Sequence, residues 1–350
     1  PSGPGGAGGW RPAQVVLAVI GVVLVVVLAA GVLIQLPYVS IAPGSARRVD
    51  DLIKVEGHPV YPAKGRVLFT TVAVREDINL WEAVGGWLDD DVSVLSEKQV
   101  RGPHPREEYH EMNVEAMADS KAAAEAVALR HLGFRDLSAG AEVQSVEPGL
   151  PAASVVQEGD VIVGIDGKPV KEPAEVVAGI RAHQPGDEVR LTVVGADGPP
   201  TDRTATLARG EQGQALLGVR LTTKLELPFT ISIDSGNIEG PSAGLPYSLA
   251  LLDELTPGEL TGGAKVAATG ELGSDGRVGP IGGVAQKAVA VRRAGAALFL
   301  VPRANYDEAR AHAGSRLRVA AIDSFDDALR AMADLPGSNA GSLAQAAPGT

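Results

Sequence analysis

Glu239-Gly-Pro-Ser-Ala-Gly244 sets a serine between a strand and a helix. Phe229 to Ile233 has the composition of a strand. A loop carrying Gly236, Gly240 and Pro241 leads on to Ser242. Leu245 to Leu255 follows, with Leu245, Leu249 and Leu252 at helical spacing. Pro246 falls in the first turn of that helix, where a missing N–H is tolerated. Ser242 is therefore expected at or just before a helix N-terminus. Unpaired backbone N–H groups there favour negative charge, including the oxyanion of an attacked peptide carbonyl. Gly240 and Gly244 leave room for a substrate backbone. The same position also suits a serine that does no more than cap a helix.

A serine hydroxyl needs a base before it acts as a nucleophile, and a buried lysine can be that base. Only Lys265 and Lys287 follow Ser242. Lys265 opens a strand in Gly262-Gly263-Ala264-Lys265-Val266 and is expected to be exposed. Lys287 lies in Gly282-Gly-Val-Ala-Gln-Lys287, where a helix begins that runs to Ala294 and stops at Gly295. Val284, Ala288 and Val291 form its apolar face, and Lys287 shares that face. Burial penalises the ammonium and lowers its pKa towards neutrality, as a general base requires.

Glu239-Gly-Pro-Ser-Ala-Gly244, Ala268-Thr-Gly-Glu-Leu272, Gly276-Arg-Val-Gly-Pro-Ile-Gly-Gly-Val-Ala-Gln-Lys287 and Ala294-Gly-Ala-Ala-Leu-Phe-Leu-Val-Pro302 together resemble the proteolytic domain of the Lon family. The likeness covers most of residues 225–335. It implies an α/β (α+β) domain with Ser242 as nucleophile and Lys287 as base. By the same likeness Thr269 orients the lysine. Glu239, Gly240, Pro241 and Ala243 become supporting or oxyanion positions, although Glu239 stands where these proteases commonly have aspartate. The chain contains no Gly-x-x-x-x-Gly-Lys-Ser/Thr phosphate loop. ATP-independent cleavage of unfolded or flexible polypeptides is expected, with no cofactor and no metal. A homo-oligomer, in the form of a hexameric ring, is implied by resemblance alone.

Residues 130–222 read as a β-rich module. Glu142 to Val146 is a strand ended by Glu147-Pro148-Gly149. Gly159-Asp-Val-Ile-Val-Gly-Ile-Asp-Gly167 is a strand entering an Asp-Gly turn. Pro173 to His183 has amphipathic helical spacing at Val176, Val177 and Ile180, and Glu188 to Val194 alternates as a strand. Pro148-Gly-Leu-Pro-Ala-Ala-Ser154 with Glu158 to Gly167 resembles bacterial PDZ domains. Such domains bind a peptide by adding a strand to a sheet edge. By that resemblance the groove lies between Glu142, Val143, Gln144 and Val146 on the strand and Val176, Val177 and Ile180 on the helix.

Val15 to Leu36 is apolar apart from Gln35. At about 1.5 Å per residue it is long enough for a hydrocarbon core of about 30 Å, and longer than a signal-peptide core. A transmembrane helix over 15–36 is expected, after a disordered tail at 1–14. Arg11 on one side, with Arg47 and Arg48 on the other, gives no positive-inside signal. A single N-terminal anchor places the soluble portion outside the cytoplasm. Residues 37–128 are expected as a separate N-terminal extracytoplasmic region. It holds a strand at Arg66–Val74, a short helix at Asn79–Leu88 and an alanine-rich helix capped by Asp119 or Ser120. Residues 336–350 are Pro-, Gly-, Ser- and Ala-rich and are expected to be disordered. The anchor, PDZ and Lon-like order resembles the bacterial membrane-anchored Lon-like PDZ proteases.

The 350-residue chain has 45% hydrophobic residues, enough for substantial cores, and a formal charge of −12, which disfavours nucleic acid as a partner. It has no cysteine, which excludes disulfides and thiolate metal sites. Gly240 to Gly244 also fits the nucleophile elbow of α/β-hydrolases, but His312 is the only histidine after Ser242 and lies in an expected surface helix. His110-Glu111 lacks the second histidine of a zinc protease, and Asp89-Asp90-Asp91 reads as a solvated loop. A PDZ scaffold with an idle Lon-like domain is the alternative of a different class.

Overall fold

The computed structural model describes residues 12–134, 137–195, 198–210, 212–227, 229–236 and 238–346. Its main body is a six-stranded mixed sheet. The strand order is Arg318–Ile322, Leu298–Pro302, Lys265–Ala268, Arg66–Arg75, Tyr38–Arg48 and Ser93–Ser96. The first four strands run parallel, and the last two pair antiparallel. Parallel strands are covered on both faces, so their residues divide between two cores. Val67, Phe69, Val266, Ala268, Leu298 and Leu300 face one core. Helices Arg106–His131, Gly244–Leu255 and Phe325–Ala333 cover that side. Leu68, Ala267, Phe299 and Val301 face the other, against helices Val284–Arg293 and Tyr306–His312.

Residues 37–128 are therefore not a separate region. They supply three of the six strands, and the central Arg66–Arg75 pairs directly with Lys265–Ala268. A further antiparallel pair, Ile53–Glu56 with Thr230–Ile233, closes the same unit. The alanine-rich helix also differs from expectation. It starts at Arg106 after Pro105, not at Asp119 or Ser120. Its charged first half has no apolar stripe to reveal it, whereas Asn79 does cap the short helix Leu80–Leu88 through a capping box with Glu82.

The β-rich module is inserted into this body. Its sheet runs Val219–Leu225, Ser138–Val146, Val161–Ile165, Glu188–Val194 and Thr201–Thr206, with Lys168–Pro169 folding back on Val161–Ile165. Asp166 and Gly167 both take positive φ in the turn between those last two, as a tight hairpin demands. Val143, Ile162, Val176, Ile180, Val189 and Leu191 fill its separate core. Entry and exit meet: Glu226 N–H donates to the Leu137 carbonyl at 2.8 Å.

The ends differ from expectation as well. The apolar helix spans Pro12–Leu33 and stops short of Leu36, because Gln35 bridges to Asn79. Of the expected tail at 1–14, residues 1–11 lie outside the described residues. The C-terminal segment is ordered as far as a helix at Ala340–Ala346. Ala340 is fully buried, and Ser338 and Asn339 bond to Leu260 and Glu259. Residues 347–350 lie outside the described residues.

Candidate active site

Ser242 and Lys287 arrive from opposite faces of the main sheet. Gly240 has φ +87°, a conformation costly for any side chain, and turns the backbone into the single helical turn Pro241–Ala243. Helix Gly244–Leu255 follows at once. On the other face Gly283, also at positive φ, opens helix Val284–Arg293. Val284, Ala288 and Val291 are buried there as their spacing predicts, and Lys287 is only 3% exposed. Its Nζ lies 2.8 Å from Ser242 Oγ and 3.1 Å from Thr269 Oγ1. Burial draws the lysine pKa down to about 8. Lys265 is exposed.

Thr269 caps this arrangement. It follows strand Lys265–Ala268, and its N–H donates to the Leu300 carbonyl at 3.1 Å. Its fully buried hydroxyl also lies 3.3 Å from the Ser242 carbonyl, which accepts the Gly270 N–H at 3.0 Å. The site thus sits at the carboxyl end of a parallel strand, where open α/β sheets place their chemistry.

The remaining loop residues are held by helix Arg106–His131. His110 Nδ1 is 2.9 Å from Glu239 Oε2. Gly240 N–H donates to the Asn113 carbonyl at 3.0 Å. Ser120 Oγ donates to the Pro241 carbonyl at 2.9 Å. The Gly240 N–H is therefore already spent, Pro241 has none, and both serve to shape the loop. Ala243 is buried at the head of the helix. Gly244 does not make way for substrate: a Cβ there would come within 2.8 Å of Ser120 Oγ and 2.9 Å of Leu272 Cβ, so it permits helix packing. His110, Asn113 and Ser120 carry no local sequence signal, because their partners lie far along the chain.

The expected peptide groove needs correction. Strand Ser138–Val146 is not an edge. Val219–Leu225 pairs along one side of it, and Val161–Ile165 pairs with Ala141 and Glu142 on the other. Glu142 and Val143 are therefore bonded on both sides, Val143 is core, and Gln144 and Val146 lie in a strand whose outer side is taken by Val219–Leu225. The outer strand of this sheet is Val219–Leu225, with helix Pro173–Arg181 packed near it. Val176 and Ile180 on that helix are buried, and Val177 is exposed. A cavity of about 340 Å³ joins this edge to the catalytic body. Pro173, Thr222 and Thr223 line one side, and Asp119, Pro241 and Glu271 line the other.

His312 is remote from this chemistry. Its Nδ1 bonds to the Glu308 carbonyl within its own helix. Asp91 pairs with Arg293 at 2.8 Å, and Asp89 accepts the Asp91 N–H. Among the described residues no group of three or more His, Asp or Glu is placed to hold a metal ion.

Comparison with known proteins agrees with the two-module architecture. Residues 228–333 match the family model of the Lon protease (S16) C-terminal proteolytic domain, and residues 132–197 match that of the PDZ domain. The Lon protease of Campylobacter concisus (strain 13826) is 36% identical over 96 residues, 26% of this chain and 12% of that protein. The Lon protease of Heliobacterium modesticaldum (strain ATCC 51547 / Ice1) is 30% identical over 155 residues, 43% of this chain and 19% of that protein. The Lon protease of Frankia alni (strain DSM 45986 / CECT 9034 / ACN14a) is 30% identical over 212 residues, 50% of this chain and 24% of that protein. A solved PDZ domain of an SdrC-like protein from Listeria monocytogenes is 30% identical, covering 24% of this chain and 87% of that one at a TM-score of 0.23. The chain spans 24% or less of the length of these Lon relatives. It carries a Lon-type proteolytic domain and a PDZ domain in a mixed helix–strand fold, and these support a serine-type peptidase.

Proposed function

We propose that the chain is a membrane-anchored serine endopeptidase that works through a Ser242–Lys287 dyad without ATP. The observation that carries this reading is the 2.8 Å separation of the buried Lys287 Nζ and the half-buried Ser242 Oγ. Neutral Lys287 accepts the Ser242 proton as Oγ bonds to the scissile carbonyl carbon. The backbone N–H groups of Ser242 and Ala243, at the head of a helix, are assigned to the oxyanion. The C–N bond then breaks, and the lysine ammonium returns its proton to the leaving amine. Water, with Lys287 again as base, releases the acyl group. Thr269 holds Nζ on the hydroxyl throughout.

The substrates are unfolded or flexible polypeptides. The PDZ domain adds a peptide strand to the outer edge of Val219–Leu225, and the cavity beside Pro241 supports delivery towards Ser242. Helix Pro12–Leu33 anchors the chain in the cell membrane as a single pass, with the soluble portion that follows it outside the cytoplasm. By length and composition its Gln14–Leu33 stretch can cross a bilayer. A homo-oligomeric ring belongs to the same proposal, and a strict monomer with full activity would remove it.

The test is casein cleavage without nucleotide by the chain and by its Ser242→Ala and Lys287→Ala variants. Loss in both variants supports the dyad. Undiminished cleavage by either variant sinks it. No cleavage by any form, including with a PDZ peptide added, favours a binding scaffold.

A further inference from the structure

Helix Leu80–Leu88 packs with Trp81, Trp87 and Leu88 outward. Its buried positions are Ala83 and Gly86. A Cβ on Gly86 would meet Val94 Cγ2 at 2.5 Å, so only small residues fit that side. Trp81 and Leu88 lie at i and i+7 on one exposed stripe with Trp87 beside them, and Val84 between them is half-buried. Trp87 is 57% and Leu88 82% exposed. A helix facing water has the opposite arrangement.

This helix is fixed to the end of the apolar Pro12–Leu33 helix. Trp81 Nε1 donates to the Leu28 carbonyl at 3.0 Å. The indole sits on Gly31, where a Cβ would lie 2.3 Å from Nε1. Gly31 is buried and Ala30 half-buried, whereas residues 14–29 of the same helix are exposed. Leu36 N–H donates to the Ile78 carbonyl at 2.9 Å, and Gln35 bridges to Asn79, the cap of the short helix. Exposed Leu33 and Ile34 continue the apolar surface between the two helices. Directly after Leu88, Asp89-Asp90-Asp91 turns back to water, with Asp91 paired to Arg293.

We infer that Leu80–Leu88 is a second membrane contact, lying in the lipid interface beside the end of the span. This inference rests on the anchor reading of Pro12–Leu33. Tryptophan suits that depth, because its ring is apolar and its N–H needs a partner. The aspartates limit how far the helix sinks. The protease body is thereby held against the bilayer surface by two elements, not suspended on one.

The test uses the full chain reconstituted into phosphatidylcholine vesicles. Trp10→Phe leaves Trp81 and Trp87 as the emitters, and adding Trp81→Phe isolates Trp87. Bromine on the acyl chains near the headgroup end should quench Trp87 strongly, and bromine at the chain terminus should quench it less. A companion variant with Leu88→Trp as the sole tryptophan should give the same order. If the chain floats with the vesicles yet neither reporter is quenched, the second contact is wrong and the anchor stands. A chain that does not float removes the anchor, and this inference with it.

Discussion

Lys287 Nζ stands 2.8 Å from Ser242 Oγ, although the two residues are carried by helices on opposite faces of one sheet. They meet only past the end of strand Lys265–Ala268, where Thr269 bridges them. The lysine is sealed by both layers, and burial brings its pKa to about 8. Activity should follow its neutral form. With the proposed dyad, kcat/KM rises about tenfold per pH unit well below that pKa and levels off above it. A casein profile from about pH 6 to 10 checks this; a flat profile would contradict lysine as base.

The same burial sets a stability signature. The folded pKa lies below the ordinary 10.5, so the unfolded chain binds more protons between about 8 and 10.5. Stability therefore rises with pH through that window, and the full penalty applies below it. Lys287→Met removes the charge and keeps an unbranched chain. It should be inactive yet more resistant to urea at about pH 6, by on the order of 3 kcal/mol. The gain should shrink towards about pH 10. A variant less stable than the parent at the lower pH would show that the pocket relies on the ammonium.

In the proposed dyad, Thr269 is the positioning residue for that ammonium or amine. Thr269→Val should lower kcat by about a hundredfold with little change in KM, since a misplaced base costs rate rather than ground-state binding. Thr269→Ser keeps the hydroxyl and should restore most of the loss. Equal damage from both variants would point to packing in the fully buried site instead.

Ser120 shapes the Ser242 loop from outside the matched proteolytic segment, through its bond to the Pro241 carbonyl. Ser120→Ala should cost about 1 kcal/mol of stability. Its kcat should fall about tenfold at unchanged KM if the loop drifts from the attack geometry. Unchanged kcat would reduce Ser120 to packing.

How visible each part was in the chain follows the range of its contacts. Lys287 could be placed because its helix buries a local face of Val284, Ala288 and Val291. Ser242 could be placed because the signals for strand, loop and helix are adjacent in sequence. Ser120 and Asn113 could not, since what they hold lies across the inserted PDZ domain. The sheet contribution of Arg66–Arg75 was hidden for the same reason: its composition gives a strand, but pairing with Lys265–Ala268 is long-range. The resemblance places the PDZ groove on Glu142–Val146, but a strand's composition does not say whether it lies at an edge. Val219–Leu225 becomes the edge only through its pairing with Ser138–Val146.

The closure of the PDZ insertion makes it removable. Leu137 and Glu226 are hydrogen bonded at its neck, and the two cores share no residue. Loop-closure entropy changes little when a long insertion becomes a short turn. Replacing residues 138–225 by a short Gly-Ser linker should leave the proteolytic body folded, with its dyad intact. Helix Arg106–His131 loses the partly exposed Arg220–Glu115 ion pair at 2.8 Å, worth little, and the Gln144 hydrogen bond to Asp119. Cleavage of short unstructured peptides should therefore persist, whereas substrates captured through the Val219–Leu225 edge should lose affinity, seen as a higher KM at similar kcat. If peptide cleavage vanished while the body remained folded by circular dichroism, the PDZ domain would be part of the catalytic apparatus, acting through the cavity that joins Thr222 to Pro241.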